Sequence, residues 1–209
     1  MSPRIDTTEV NVGDIYRLWG AYLNARPDSV RANPYWSEIE QDDLGDFDLS
    51  RRWLYGYTIP GVGNLHATFG IRPRLLSIEQ KRGAYVIRTL YAPDDLDGFQ
   101  GLYSIQRVYA KREGGAYRLF NALPEATREW RRRRLGLLEY VFPPEHRFDE
   151  NRATAAAVFA DSIRTVFDLK VEEPIEYYVA PNVSEMARIL GNHPVNYPLR
   201  SSHRCGRSA

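Results

Sequence analysis

The sequence predicts an α+β fold, in which N-terminal helices pack on a curved antiparallel sheet and a small strand-helix-strand-helix unit follows. Between residues 74 and 122 lie four strand-like runs, and two glycine-containing turns join them in pairs. Segments whose apolar residues recur every three or four positions lie before and after these runs, which is the spacing of amphipathic helices. Tight turns join antiparallel strands, so the sheet is predicted to be antiparallel.

Residues 84–91 show the alternation of a strand. Successive strand side chains point to opposite faces, and one face here carries aromatic and β-branched residues, namely Tyr85, Ile87, Thr89 and Tyr91. The run 75–80 precedes it through a turn at Gly83, where glycine supplies the positive φ that tight hairpins need. A second hairpin joins 102–111 to 116–122. We therefore predict two hairpins combined in a four-stranded meander.

The first helix is predicted to begin near Asn11 and to stop at Pro27. Its apolar residues form one face that needs a sheet to cover, namely Ile15, Leu18, Trp19, Tyr22 and Leu23. A second, short helix is predicted to open at Asn33-Pro34 and to run through Tyr35, Trp36, Ile39 and Leu44. The acidic stretch 38–48 contains oxygen donors for a metal, but it lacks the alternation and the closing Glu of a calcium loop. We predict a solvated loop there.

After the sheet the pattern changes to alternating strands and helices. The predicted order is strand 137–142, helix 150–169 with Asp149 as its cap, strand 175–179, and a helix that starts at Asn182 and closes at Gly191. The sequence therefore predicts a helix-plus-sheet domain over 1–125 and a small α/β unit over 137–191, and it leaves open whether this unit is complete. Residues 198–209 lack apolar periodicity, and we predict a disordered tail over 192–209, with a truncated or shifted reading frame as the alternative for that ending.

Charge argues against a nucleic-acid partner. The formal net charge is +1, which gives no bulk attraction to nucleic acid or to an anionic membrane. Three of the 28 basic residues are lysines, which leaves 25 arginines. Arginine suits the recognition of planar anions, although a genome that favours Arg codons gives the same composition. The densest cluster, 131–134, lies in a segment predicted as a short helix over 126–135, where its side chains fan around the axis.

The sequence contains no segment that marks a membrane or secretory protein. No apolar run approaches the roughly 20 residues of a membrane-spanning helix, and the N-terminus lacks the apolar core of a signal peptide. The single cysteine, Cys205, has no internal disulfide partner. We therefore expect a cytoplasmic protein by default, or an exported one if the natural start lies upstream. The oligomeric state is left open.

The order of elements resembles two known families. A long first helix, then Asn33-Pro34-Tyr35-Trp36 on a second helix, then curved antiparallel strands resemble the cone-shaped α+β fold of the nuclear-transport-factor-two-like superfamily. Residues 137–191 resemble the opening of a gluzincin-type metallopeptidase domain, as found in uncharacterised exported bacterial proteins. The carrying segments are the strand at 176–181 and the helix at 184–190.

The zinc signature of that peptidase class is missing. Gluzincins bind zinc through His-Glu-x-x-His on a helix. None of the four histidines, which are His66, His146, His193 and His203, is followed by Glu or pairs with another at helical spacing. The resemblance therefore transfers no zinc ligand, and we expect no metal and no cofactor.

The candidate binding residues lie in the predicted sheet. Tyr103 and Arg107 are four residues apart in one strand and share a face. Curved sheets of the transport-factor-like class enclose a pocket on their concave face, so the resemblance implies a site there, with Tyr85 and Arg88 contributing from the neighbouring strand. An aromatic wall with arginine suits a small carboxylate ligand. Ordinary packing of aromatic residues in strands is the alternative.

The sequence leaves three functions open. The first is a noncatalytic module that binds a ligand or a protein partner. The second is a fragment of a gluzincin-like metallopeptidase without its zinc-binding half, for which we expect exposed apolar surface after residue 170. The third is a pocket enzyme of the isomerase or dehydratase type, which needs a buried Asp or Glu opposite a Tyr donor. Among acidic residues of the strand-like runs, Glu79 alone is available for that role.

Overall fold

The computed structural model of the protein describes residues 9–24, 33–44, 47–50, 71–93, 103–171 and 173–195. The chain divides into two compact units. Unit 1 comprises Met1–Phe120 and Asn192–Ala209, and unit 2 comprises Asn121–Gly191. The predicted helix stop at Pro27 and the tail beyond residue 195 lie outside the described residues. The fold class is α+β, as predicted.

Unit 1 contains the four strands of the predicted meander. Its elements are α1 (Val10–Asn24), α2 (Glu38–Leu44), β1 (Ile71–Lys81), β2 (Ala84–Pro93), β3 (Tyr103–Glu113), β4 (Ala116–Phe120) and β8 (Asn192–Val195). Unit 2 contains α3 (Leu123–Ala126), β5 (Arg131–Leu135), β6 (Leu138–Phe142), α4 (Glu150–Val166), β7 (Ile175–Tyr178) and α5 (Val183–Ile189).

Strands β1 to β4 form the predicted antiparallel meander. The turn between β1 and β2 has positive φ at Arg82 and Gly83, and the turn between β3 and β4 has positive φ at Gly114 and Gly115. Two consecutive positive φ angles match the right-handed twist of the flanking strands, which explains why these turns close hairpins. Strand β8 pairs with one end of β3, on the edge whose other end pairs with β4.

Helix α1 covers one face of this sheet through the apolar stripe predicted from its spacing. Ile15, Trp19 and Tyr22 are buried, and they belong to one core cluster with sheet residues that share a face, namely Tyr85, Ile87, Val108, Ala110 and Leu119. Burial of large apolar side chains, each worth about 2 kcal/mol, is the main stabilising contribution in this unit. The face of the sheet toward α1 is called the inner face below.

The second helix begins later than predicted. We expected it to open at Asn33-Pro34, but α2 begins at Glu38. The Asn33 side chain accepts a hydrogen bond from the backbone N–H of Tyr35, at 3.0 Å, a local bond that competes with helix formation. Trp36 instead forms a parallel bridge with Leu119 of β4. Ser37 then caps the helix by accepting from the N–H of Glu40.

Unit 2 packs α4 on a three-stranded sheet of order β5-β6-β7, in which β5 is antiparallel and β7 parallel to β6. Asp149 caps α4 as predicted, by accepting from the N–H of Arg152. Ala153 and Ala157 of α4 pack on Leu138 and Tyr140, and the Tyr140 hydroxyl donates to the Ala153 carbonyl at 2.9 Å. The small alanines allow the helix to approach the sheet closely. Asn182 caps α5, and Gly191, with φ of 88°, follows its end.

The arginine run 131–134 forms a strand, so the predicted helix over 126–135 is wrong. A tight turn at Gly136, with φ of 56°, pairs β5 with the apolar strand β6, and this pairing outweighs the helix preference of Arg. Arg132 bonds Glu139, at 2.7 Å, and Glu176, while Arg133 bonds Glu150 at 2.6 Å. Burial alone would raise the pKa of Glu176, but hydrogen bonds from Tyr178 and Arg132 lower it below its usual value.

The start of the predicted tail is also corrected. Asn192–Val195 forms β8, and Asn192 is fully buried with its side chain donating to the backbone carbonyl of Ser50 at 2.7 Å. A strand of this length gives no measurable periodicity in the sequence, and its pairing partner lies far away along the chain. Pro194 is tolerated because β3 is the one strand paired with β8 among the described residues, which places β8 at an edge. Within the described residues no helix has the length and apolarity needed to cross a membrane.

Candidate functional site

The structure does not bring the four predicted binding residues to one face. Tyr85 belongs to the buried core on the inner face, where burial raises the pKa of its phenol. Arg88 and Arg107 are paired in register across β2 and β3, and they lie on the opposite, outer face. Tyr103 begins β3 opposite Val195, and its side chain lies outside what the structure describes.

Arg88 already binds a carboxylate of its own chain. Its guanidinium lies 2.7 Å from a carboxylate oxygen of Glu79 and donates to the Ser77 hydroxyl at 3.1 Å. The hydrogen bond from Arg88 lowers the pKa of Glu79. A small carboxylate ligand on this face would therefore compete with Glu79 for the same donor. Glu79 lies on the outer face and its side chain is 57% exposed, so it does not supply the buried acid that a pocket enzyme needs.

The inner face instead contains a set of buried polar residues, which we call the polar cluster. It consists of Tyr22 from α1, Asp48 and Ser50 from the segment after α2, Thr89 from β2 and Gln106 from β3. All five are at most 3% exposed. Asp48 belongs to the acidic stretch predicted to be a solvated loop, so that prediction is wrong for this residue. The residues that precede it, Glu38–Leu44, form α2.

Asp48 is the centre of the polar cluster. One of its oxygens accepts from the Tyr22 hydroxyl at 2.6 Å. The other accepts from the Ser50 hydroxyl at 2.5 Å and from the Gln106 side-chain amide at 3.1 Å. Gln106 also donates to Ser50. Buried polar groups without partners are costly, so these bonds offset the cost of burying the Asp48 carboxylate.

Four polar atoms at this site have no hydrogen-bond partner among the described residues. They are the Thr89 hydroxyl, the Gln106 side-chain carbonyl and the indole N–H groups of Trp19 and Trp36. Each of these residues is at most 2% exposed. More than nine in ten buried polar groups in folded proteins find a partner, so several unpaired groups in one place require an explanation.

An aromatic wall adjoins the polar cluster. The Tyr22 ring lies 5.4 Å from the Trp19 ring and 5.5 Å from the Trp36 ring, measured between ring centroids, and Phe47 follows at 6.1 Å from Trp36. Tyr22 belongs to both sets, since its ring contacts the two indoles while its hydroxyl bonds Asp48. Apolar and aromatic walls with a few convergent polar groups are typical of small-molecule sites.

The sequence contained a partial signal for this site. Ser104 and Gln106 share a strand face with Val108, which the alternation places together, and polar residues on a core face mark a buried network. On the neighbouring strand, Thr89 shares a face with Tyr85, Ile87 and Tyr91. The tyrosines and arginines of the same strands gave the stronger sequence signal for a binding site. Asp48 gave no signal, because nothing in its local sequence distinguishes it from the other acids of the stretch.

Several large apolar side chains of unit 2 are exposed on its surface. Exposed apolar surface was expected after residue 170 for a peptidase fragment, and Ile175, Tyr177 and Val183 are 49%, 55% and 70% exposed. The exposure is not confined there, because Phe159 and Val166 of α4 are 68% and 75% exposed. Among the described residues, no group of three or more His, Cys, Asp or Glu side chains could hold a metal ion.

Comparison of the chain with protein-family models, with curated proteins and with solved structures gives no match. The class that can be stated is therefore an α+β protein, with a helix-covered five-stranded antiparallel sheet in unit 1 and a three-stranded mixed sheet in unit 2. The resemblances to the transport-factor-like and gluzincin-like families stay predictions.

Proposed function

We propose that unit 1 is a noncatalytic module that binds a small polar ligand at the polar cluster. The observation that carries this proposal is the group of four buried polar atoms without partners among the described residues. A bound molecule would supply those missing partners and would contact the aromatic wall. The alternative of a purely structural network accounts for the three donors on Asp48 but leaves the four unpaired atoms unexplained.

Replacing Thr89 with valine tests whether a ligand-binding group is held unpaired in the free protein. Valine has nearly the shape of threonine, so the change removes the hydroxyl and little else. We expect the free energy of unfolding of the ligand-free protein to rise by about 1 kcal/mol, because an unpaired buried hydroxyl is removed. Chemical denaturation measured by circular dichroism reports this change.

Ser104→Ala is the matched control. The Ser104 hydroxyl is equally buried but donates to the Asn192 side chain at 3.0 Å. Its removal should lower stability by about 1 kcal/mol. If Thr89→Val were destabilising to the same degree as Ser104→Ala, the Thr89 hydroxyl would have a partner and the proposal would lose its main support.

A second candidate function is proton transfer, and one contact favours it. The Tyr22 hydroxyl donates to the buried Asp48 carboxylate at 2.6 Å, which supplies the buried acid that a pocket enzyme of the isomerase type needs and a tyrosine that orients it. In that case Asp48 takes a proton from the carbon beside a ketone and returns it to a carbon further along, while Tyr22 positions the carboxylate. Conversion of 3-cyclohexen-1-one to its conjugated isomer, followed by NMR, tests this. Activity equal in wild type and Asp48→Asn would exclude it.

A further inference from the structure

The direction of the Gln106 side chain is fixed by its neighbour. A carboxylate only accepts hydrogen bonds, so the Gln106 group that faces Asp48 at 3.1 Å is the amino group. The carbonyl of the same amide is buried and has no partner among the described residues. This carbonyl only accepts. A ligand that satisfies it must therefore present an N–H or O–H donor.

Thr89 adds the complementary requirement beside it. Thr89 and Gln106 are partners in register across β2 and β3, and their side chains share the inner face. Directly opposed side chains on one sheet face are within reach of a single small group. A hydroxyl can donate, so the unpaired Thr89 hydroxyl is satisfied by an acceptor on the ligand. The two residues together match a donor and an acceptor on neighbouring atoms.

The charge of Asp48 and the aromatic wall further restrict the chemical class of the ligand. The Asp48 carboxylate bonds the same Gln106 side chain, so a second carboxylate at this position would be repelled in a medium of low dielectric constant. The aromatic wall beside it favours a flat, uncharged body. The unpaired indole N–H groups of Trp19 and Trp36 are donors, so they favour a ligand with hydrogen-bond acceptors and do not favour a cation.

We infer that the polar cluster recognises a neutral carboxamide or lactam group carried on a planar body, with its N–H on the Gln106 carbonyl and its C=O on the Thr89 hydroxyl. This inference rests on the proposed function and specifies its ligand class. It differs from the small carboxylate expected for Arg107 and Arg88, which would bind on the outer face.

Three probes of one shape separate the possibilities. Benzamide has the donor and the acceptor, acetophenone has the acceptor alone, and benzoate is the anion. We expect ligand-observed NMR titration of the full chain to rank benzamide tightest, with a change in tryptophan fluorescence as the second readout. Thr89→Val should weaken benzamide about tenfold, which corresponds to one lost hydrogen bond. Ser77→Ala removes a hydroxyl on the outer face and should leave the affinity unchanged.

The results of these experiments test the ligand class separately from the proposed binding function. If acetophenone or benzoate bound as tightly as benzamide and Thr89→Val still weakened binding, the site would stand and the carboxamide class would be wrong. If Thr89→Val and Ser77→Ala bound benzamide equally well, the ligand would lie elsewhere. If benzamide did not bind at concentrations up to roughly 10 mM, its binding free energy would be weaker than about 3 kcal/mol, and the inference would be wrong. The stability of Thr89→Val would then decide the proposed function by itself.

Discussion

Replacing Asp48 with alanine is expected to lower the free energy of unfolding by about 3 kcal/mol. The change leaves the Tyr22 hydroxyl, the Ser50 hydroxyl and the Gln106 amino group without the acceptor that they share. These donors are buried and cannot turn to water. The loss of a hydrogen bond to a buried, charged acceptor costs about 1 kcal/mol or more for each of the three bonds. Denaturant titration followed by tryptophan fluorescence measures the loss, since Trp19 and Trp36 lie in the same core.

The matched control is Asp14→Ala. Asp14 bonds Arg17 at 2.5 Å on the exposed surface of α1, with side chains 43% and 72% exposed. Exposed ion pairs contribute little because solvent screens them, so a change below about 0.5 kcal/mol is expected. Equal effects of the two substitutions would show that Asp48 is not held by the polar cluster, and the candidate site would lose its centre.

Replacing Trp36 with alanine is expected to lower the free energy of unfolding by about 4 kcal/mol. Trp36 is 2% exposed, and its ring contacts Tyr22 and Phe47. The loss combines the transfer of a large apolar side chain with the cavity that it leaves. The backbone bonds of this segment to Leu119, each 2.8 Å long, are retained in the variant. Thermal and denaturant unfolding of wild type and variant measure the difference.

Two comparisons make the Trp36 prediction specific. Trp36→Phe should cost much less than Trp36→Ala, because most of the ring is kept and the indole N–H has no partner among the described residues. Ile39→Ala, three residues along, should be nearly neutral because Ile39 is 66% exposed. A Trp36→Phe variant as unstable as Trp36→Ala would mean that the N–H has a strong partner in the free protein, contrary to the ligand proposal.

The fold was predicted where the signal is local. The hairpins followed from alternation and from glycine in two turns, and the caps Asp149 and Asn182 were read correctly from their spacing. The errors arose where a neighbour in space decides the conformation. Residues 131–134 have a helix-compatible composition, yet pairing with β6 makes them a strand. The sequence did not predict strand β8, because its strand conformation depends on pairing with β3, which is distant along the chain.

The candidate site was predicted less well than the fold. Tyr85 and Arg88 are three residues apart in one strand, so they lie on opposite faces, as the alternation already required. Arg88 and Arg107 do share a face, but Arg88 is paired with Glu79, which sequence spacing alone does not reveal. The polar cluster was missed because its members come from separate elements, and no short motif joins them.

The sequence by itself determined the secondary structure of the hairpins, the apolar face of α1, the caps of two helices in unit 2 and the absence of a peptidase zinc motif. These properties depend on residues within a few positions of one another, whose geometry the backbone fixes. Only the tertiary structure decided that Asp48 is buried, because its partners Tyr22 and Gln106 lie 26 and 58 positions away. Burial and hydrogen bonding between distant segments depend on how the chain packs, and that packing determines which acid of the stretch is buried.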